Sequence, residues 1–133
     1  MKPRPGEIWL ADLGLAAKTR PVVIVSRFDP DAPRALIIYV PLTTQNRESR
    51  YEVVIPKLGF LNAQSVANVQ GIASIPSVRL ERRLGMLPEK PLVEIRRALS
   101  FALDLDNSTK QGAGKGAPVR RFVCGFRERL WRT

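Results

Sequence analysis

Short apolar runs cut off by proline constrain this chain more than any other feature. Pro21-Val22-Val23-Ile24-Val25-Ser26 is a continuous Val/Ile run of strand length, closed by the loop signal Asp29-Pro30-Asp31-Ala32-Pro33. Ala35-Leu36-Ile37-Ile38-Tyr39-Val40 stops at Pro41, and Tyr51-Glu52-Val53-Val54-Ile55 stops at Pro56. Runs this short and this rich in β-branched residues read as strands. Ahead of them, Pro5-Gly6 leads into an alternating strand from Glu7 to Leu13. Behind them, Ser65 to Val69 and Gly71 to Ile75 are short strands with Gln70-Gly71 between them, and Arg82-Arg83-Leu84-Gly85 reads as a basic turn. Proline brings no N–H to a ladder, so Pro21, Pro41 and Pro56 are expected at strand ends.

A helical period begins only near Pro91. Leu92, Ile95, Leu99, Ala102 and Leu103 fall on one face, with Arg96, Arg97 and Ser100 off it. The spacing predicts a helix that closes a sheet. Short strands, Gly/Pro-rich turns and one late helix together predict a mainly β fold with a C-terminal helix, built as a small antiparallel barrel. From Asp106 the pattern fails, and Asn107 to Gly116 has linker composition. The expected organisation is one domain over residues 1–105 and a basic tail over 106–133.

Composition narrows the partners. At 133 residues and 44% hydrophobic, the chain is expected to bury one core. No apolar run approaches the roughly 20 residues that span a bilayer, and no apolar segment follows Lys2 and Arg4 as a signal peptide would require. A cytoplasmic protein with no membrane partner is the expectation. Cys124 is the single cysteine, so no intrachain disulfide forms and no Cys/His set exists for zinc. The net charge of +10 favours a polyanionic partner, either nucleic acid or an acidic protein. Residues 106–133 hold seven basic and two acidic side chains, and so carry half of that excess.

The chain contains no histidine, which removes the commonest proton carrier. Two segments pair an apolar run with a reactive end: Lys18-Thr19-Arg20-Pro21-Val22 and Val40-Pro41-Leu42-Thr43-Thr44-Gln45. A guanidinium fork matches phosphate geometry, and a threonine hydroxyl adds a compact donor. RNA strands can be cut by their own 2′-hydroxyl when charge on the phosphoryl oxygens is stabilised, with no metal or cofactor. Arginine suits that task better than proton transfer, because its pKa exceeds about 12. Read from chemistry alone, Arg20 serves equally well as a charged strand cap, and Thr43 and Thr44 as strand or turn residues. Gln70 reads equally as a plain turn residue. Arg79, Arg82 and Arg83 fit an RNA groove or a solvated turn, and Trp9 fits the core.

The sequence resembles the MazF/PemK family of type II toxins, with its Kid/CcdB-like fold. The resemblance rests on Pro5-Gly6-Glu7-Ile8-Trp9, Arg20-Pro21-Val22-Val23-Ile24-Val25-Ser26 and Val40-Pro41-Leu42-Thr43-Thr44-Gln45. It continues through Glu52-Val53, Val69-Gln70-Gly71-Ile72, Arg79-Leu80 and Leu84-Gly85-Met86-Leu87-Pro88, in family order over roughly residues 3 to 105. It implies an SH3-like barrel with a carboxy-terminal helix, usually a homodimer. It implies a metal-independent endoribonuclease that selects sequence in single-stranded mRNA and leaves 2′,3′-cyclic phosphate and 5′-hydroxyl ends. The family's catalytic arginine falls on Arg20 and its catalytic threonine on Thr43. The same resemblance makes Thr44, Gln45, Gln70 and Arg79 candidate RNA contacts, calls for no cofactor, and implies an acidic cognate antitoxin as partner. Two departures stand out: the segment Gly14 to Thr19 is short and lacks a carboxylate, and Val69 stands where many members carry Asp. The competing readings are a gyrase-directed or other nucleic-acid-binding toxin on the same fold that cuts nothing, and a decayed enzyme that only sequesters an antitoxin.

Overall fold

The computed structural model describes residues 2–14 and 19–105. The tail expected over 106–133 and Cys124 lie outside the described residues. Seven strands and one long helix follow in chain order: β1 (Glu7–Asp12), β2 (Thr19–Ile24), β3 (Leu36–Thr43), β4 (Glu52–Ile55), β5 (Ser65–Asn68), β6 (Ala73–Pro76), β7 (Leu80–Met86) and α1 (Glu89–Ala102). Single 3-10 turns, Val69–Gly71 and Ser77–Arg79, precede β6 and β7. The strands form one antiparallel sheet in the order β4-β5-β3-β2-β1-β7, and β6 pairs with β3 off that path. A mainly β fold with a C-terminal helix was expected and is found. The end strands β4 and β7 do not bond to each other, so the sheet curls without closing.

Both faces of the sheet are covered, which explains the unbroken Val/Ile run. Val23 belongs to a core with Ile8, Val40, Leu42, Ile55 and Val69, sealed by Ile95 and Ala98 of α1. Val22 and Ile24 point the other way, into a second core with Trp9, Tyr39, Ile75 and Leu80. A strand with only one buried face would alternate, and β2 has no solvent face in its second half. Helix α1 begins two residues before Pro91, which is buried in its first turn, with Glu89 beside it at the favourable positive end of the helix dipole. Leu103 falls past the helix end and is exposed rather than part of the packing face.

Two of the three prolines break the strand-end expectation. Pro21 is the third residue of β2 and pairs with Leu10, while Pro41 lies inside β3 opposite Val22. The amide of Val25 donates to the Ile38 carbonyl at 2.9 Å, so odd-numbered residues of β2 are the ones that bond to β3. By that parity the nitrogen of Pro41 points away from β2. It faces the gap where β3 exchanges partners, from β6 (Leu36 to Tyr39) to β5 (Leu42 and Thr43). The nitrogen of Pro21 faces β3 one residue beyond the paired stretch Val22 to Ile24. Neither ring removes a ladder bond. Pro56 follows β4 directly, as expected. Close packing fixes Gly71 here: a Cβ on it would lie 2.8 Å from Cγ of Pro41.

The basic turn expected at Arg82 to Gly85 is instead strand. Residues Leu80–Met86 pair with β1, and the register slips twice, between Ile8 and Trp9 and between Leu10 and Ala11. The slips fall on either side of Arg82 and Arg83, which stay in register opposite Leu10 and Trp9, and Glu81, Arg82 and Arg83 are all exposed. Gly85 has no side chain because the Phe60 ring fills the place its Cβ would take.

Glu7 ties the two strands together. Its carboxylate accepts from the Arg4 amide and from Trp9 Nε1, both at 3.0 Å, and pairs with Arg83 Nε at 3.2 Å. Burial is the largest single influence on this carboxyl and pushes its pKa up. The bonds from Trp9 and Arg4, with Arg83, together outweigh it, and the pKa rests below the ordinary value.

Candidate active site

Arg20 is the second residue of β2 and Thr43 the last of β3. Pairing of β2 with β3 ends at Val22 and Pro41, two residues short of Arg20 on one strand and of Thr43 on the other. Both residues line one open cleft of about 490 Å³. Two segments separated by more than twenty residues therefore deliver a guanidinium and a hydroxyl to the same hollow.

Local hydrogen bonds orient the rest. Thr43 Oγ1 accepts from the Gln45 amide at 3.2 Å, which leaves its own proton free to donate outward. That turn brings Gln45 to the same cleft. Gln70 reaches it from the 3-10 turn that follows β5, where the side chain of Asn68 caps the turn by accepting from the Gln70 amide at 3.2 Å. Thr44 lines an adjoining hollow of about 410 Å³, shared with Arg20, Thr43 and Gln45. Arg79 ends the turn before β7 and lines neither hollow.

Arg47, Ser49, Tyr51, Glu52 and Asn68 also line the cleft and were not among the site candidates read from the sequence. Glu52 brings a carboxylate to the cleft from β4, while residues 15–18 of the segment that lacks one lie outside the described residues. Its oxygens accept from the Ser49 amide at 3.1 Å, the Ser49 hydroxyl at 3.0 Å and the Arg47 amide at 3.2 Å. The Ser49 amide bond is the main reason its pKa falls below the ordinary value; desolvation opposes it, and the Arg47 amide and the Ser49 hydroxyl reinforce it. A carboxylate so engaged is a poor proton acceptor. It is a latch that folds the Gln45–Arg50 connector back on β4 and brings Arg47 to the cleft. No sequence period could signal this, because the partners are loop amides. Among the described residues no group of three His, Cys, Asp or Glu side chains is placed to hold a metal ion.

A family model described as PemK-like, MazF-like toxin of type II toxin-antitoxin system matches residues 4–103. This chain belongs to the PemK/MazF toxin family. A curated relative from Mycobacterium tuberculosis, named probable endoribonuclease MazF5, is 33% identical over 105 residues, covering 77% of this chain and 94% of that protein. Among solved structures, an endoribonuclease in complex with its cognate antitoxin from a mycobacterial species superposes with a TM-score of 0.68 at 27% identity, over 77% of this chain and 96% of that one. The Mycobacterium tuberculosis toxin MazF-mt6 gives a TM-score of 0.65 at 28% identity, over 74% and 96%. The matched span, residues 4–103, contains every cleft residue described above.

Proposed function

We propose that this PemK/MazF protein is an endoribonuclease toxin whose reaction centre is the cleft between Arg20 and Thr43. The observation that carries the reading is that these two residues, carried by the adjacent strands β2 and β3, line one hollow. The 2′-hydroxyl of the RNA attacks the neighbouring phosphorus, the bond to the 5′-oxygen breaks, and cyclic phosphate and 5′-hydroxyl ends result. Arg20 supports the negative charge that builds on the phosphoryl oxygens, and the Thr43 hydroxyl donates to one of them. The latched state of Glu52 supports assigning it to structure rather than to removal of the 2′ proton. Gln45, Gln70 and Thr44 offer hydrogen bonds to the strand on either side of the cut. Arg79 lines neither hollow and is assigned a contact with the RNA strand away from the cut.

The charge of +10 suits single-stranded RNA and an acidic antitoxin, and relatives of this kind are solved with their antitoxins. A homodimer in the cytoplasm, as in the family resemblance, completes the proposal; no described helix is long and apolar enough to cross a membrane. The test is cleavage of single-stranded RNA by purified protein in EDTA, with fragment ends mapped. Wild type should leave 2′,3′-cyclic phosphate and 5′-hydroxyl ends, and Thr43→Ala should leave RNA intact. Undiminished cutting by both Arg20→Ala and Thr43→Ala would remove this mechanism, and trapping of gyrase–DNA complexes without RNA cutting would move the protein to the other reading.

A further inference from the structure

Beside the adjoining hollow of about 410 Å³, which shares Arg20, Thr43 and Gln45 with the cleft, lies a third of about 290 Å³, joined to it through Pro21, Thr44 and Ser65. Its floor is apolar and half-buried: Leu10 of β1, Pro21 of β2, Phe60 of the β4–β5 loop and Leu84 of β7. Its rim is polar and exposed, formed by Thr44, Asn62 and Arg82. The neighbours of Arg82 on β7 are both engaged, Glu81 with the Thr19 hydroxyl at 3.3 Å and Arg83 with Glu7. The side chains of Arg82 and Asn62 have no hydrogen bond or ion pair among the described residues.

We infer that this hollow is a subsite for the base of a nucleotide flanking the scissile phosphate, and that Phe60, Asn62 and Arg82 help to set which base is accepted there. The inference rests on the nuclease reading above. An RNA strand held between Arg20 and Thr43 is continuous, so its next nucleotide passes over Thr44 either into this hollow or into solvent. An apolar floor with an aromatic ring suits the flat face of a base. An unengaged amide presents both a donor and an acceptor to its edge, and an unengaged guanidinium adds stacking or a phosphate contact. An acidic peptide would satisfy Arg82 but would leave the apolar floor without a match, so RNA is the better occupant.

The test maps cleavage of a random-sequence single-stranded RNA pool by wild type, Arg82→Ala, Asn62→Ala and Arg82→Lys. Arg82 and Asn62 are exposed, so all variants should melt with wild type. Arg82→Ala and Asn62→Ala should keep turnover at saturating RNA, raise KM by roughly tenfold, the size of one lost base contact, and flatten the base preference at one position beside the cut. Arg82→Lys should recover part of the affinity and not the preference. Unchanged KM and preference in both alanine variants, with Arg20→Ala inactive, would overturn the subsite and leave the nuclease standing. A wild type that cuts none of the pool would overturn both. Loss of antitoxin binding by Arg82→Ala with an unchanged cleavage preference would assign the hollow to the antitoxin instead.

Discussion

Glu7 and Glu52 are the same device used in two places. Each is a carboxylate that gathers backbone amides and side-chain donors, and each sits below its ordinary pKa for that reason. Glu7 works inside the scaffold, with a side chain only 13% exposed and an arginine partner on the neighbouring strand. Glu52 works at the cleft and clasps a connector, with no ion pair among the described residues. The first holds β1 to β7 and the second holds Arg47 toward the site. Similar hydrogen-bond chemistry therefore supports strand pairing in one place and the shape of the cleft in the other.

That contrast can be tested by substitutions that should move activity and stability separately. Arg20→Ala should lower RNA cutting by about two to three orders of magnitude, the scale of one lost charge-stabilising donor. Its thermal midpoint should stay at the wild-type value because the side chain is exposed. A coincident fall in the midpoint would mean that cleft and scaffold are not separable. Ile8→Ala, in the fully buried centre of β1, should cost about 2–5 kcal/mol in urea unfolding. The fraction that remains folded should cut RNA at the normal rate.

Glu7→Gln should destabilise by roughly 1–2 kcal/mol at neutral pH, because the bonds it keeps are no longer assisted by charge. Since folding lowers the pKa of Glu7, its contribution is full above the unfolded carboxylate value of 4.5 and is lost as pH falls through the lower folded value. Acid titration of stability should therefore be flatter in Glu7→Gln than in wild type. Glu52→Gln should have the smallest effect, a severalfold rise in KM with little change in turnover. If turnover collapsed as it does in Arg20→Ala, Glu52 would be a proton acceptor and the resemblance between the two glutamates would be superficial.

What could be read in advance follows the same division. The run Val22-Val23-Ile24 is legible because two cores demand apolar residues on consecutive positions. The helix is legible because Ile95 and its neighbours repeat with the helical period. Strand β7 is not, because three exposed residues in a row, Glu81, Arg82 and Arg83, hide any period of two and its register against β1 slips on either side of the two arginines. Pro21 and Pro41 mark strand ends by rule and escape it through ladder parity and a change of partner, which only the three-dimensional pairing reveals. Within the cleft, Arg20, Thr43, Gln45 and Gln70 stand in recognisable segments and converge. Arg79 stands in such a segment and lies elsewhere, since proximity in a motif does not fix direction after a 3-10 turn. Glu52, Arg47 and Asn68 depend on contacts with loop amides, which leave no trace in composition or spacing.

The seat of Pro41 against Gly71 carries a practical consequence for a protein that injures its host. Thr43 lies two residues beyond that ring, so an added methyl at position 71 pushes on the segment bearing the hydroxyl without touching the hydroxyl itself. Gly71→Ala should yield a weakened toxin that bacteria tolerate when it is expressed alone, readable as colony survival, with every chemical group of the proposed reaction centre still in place.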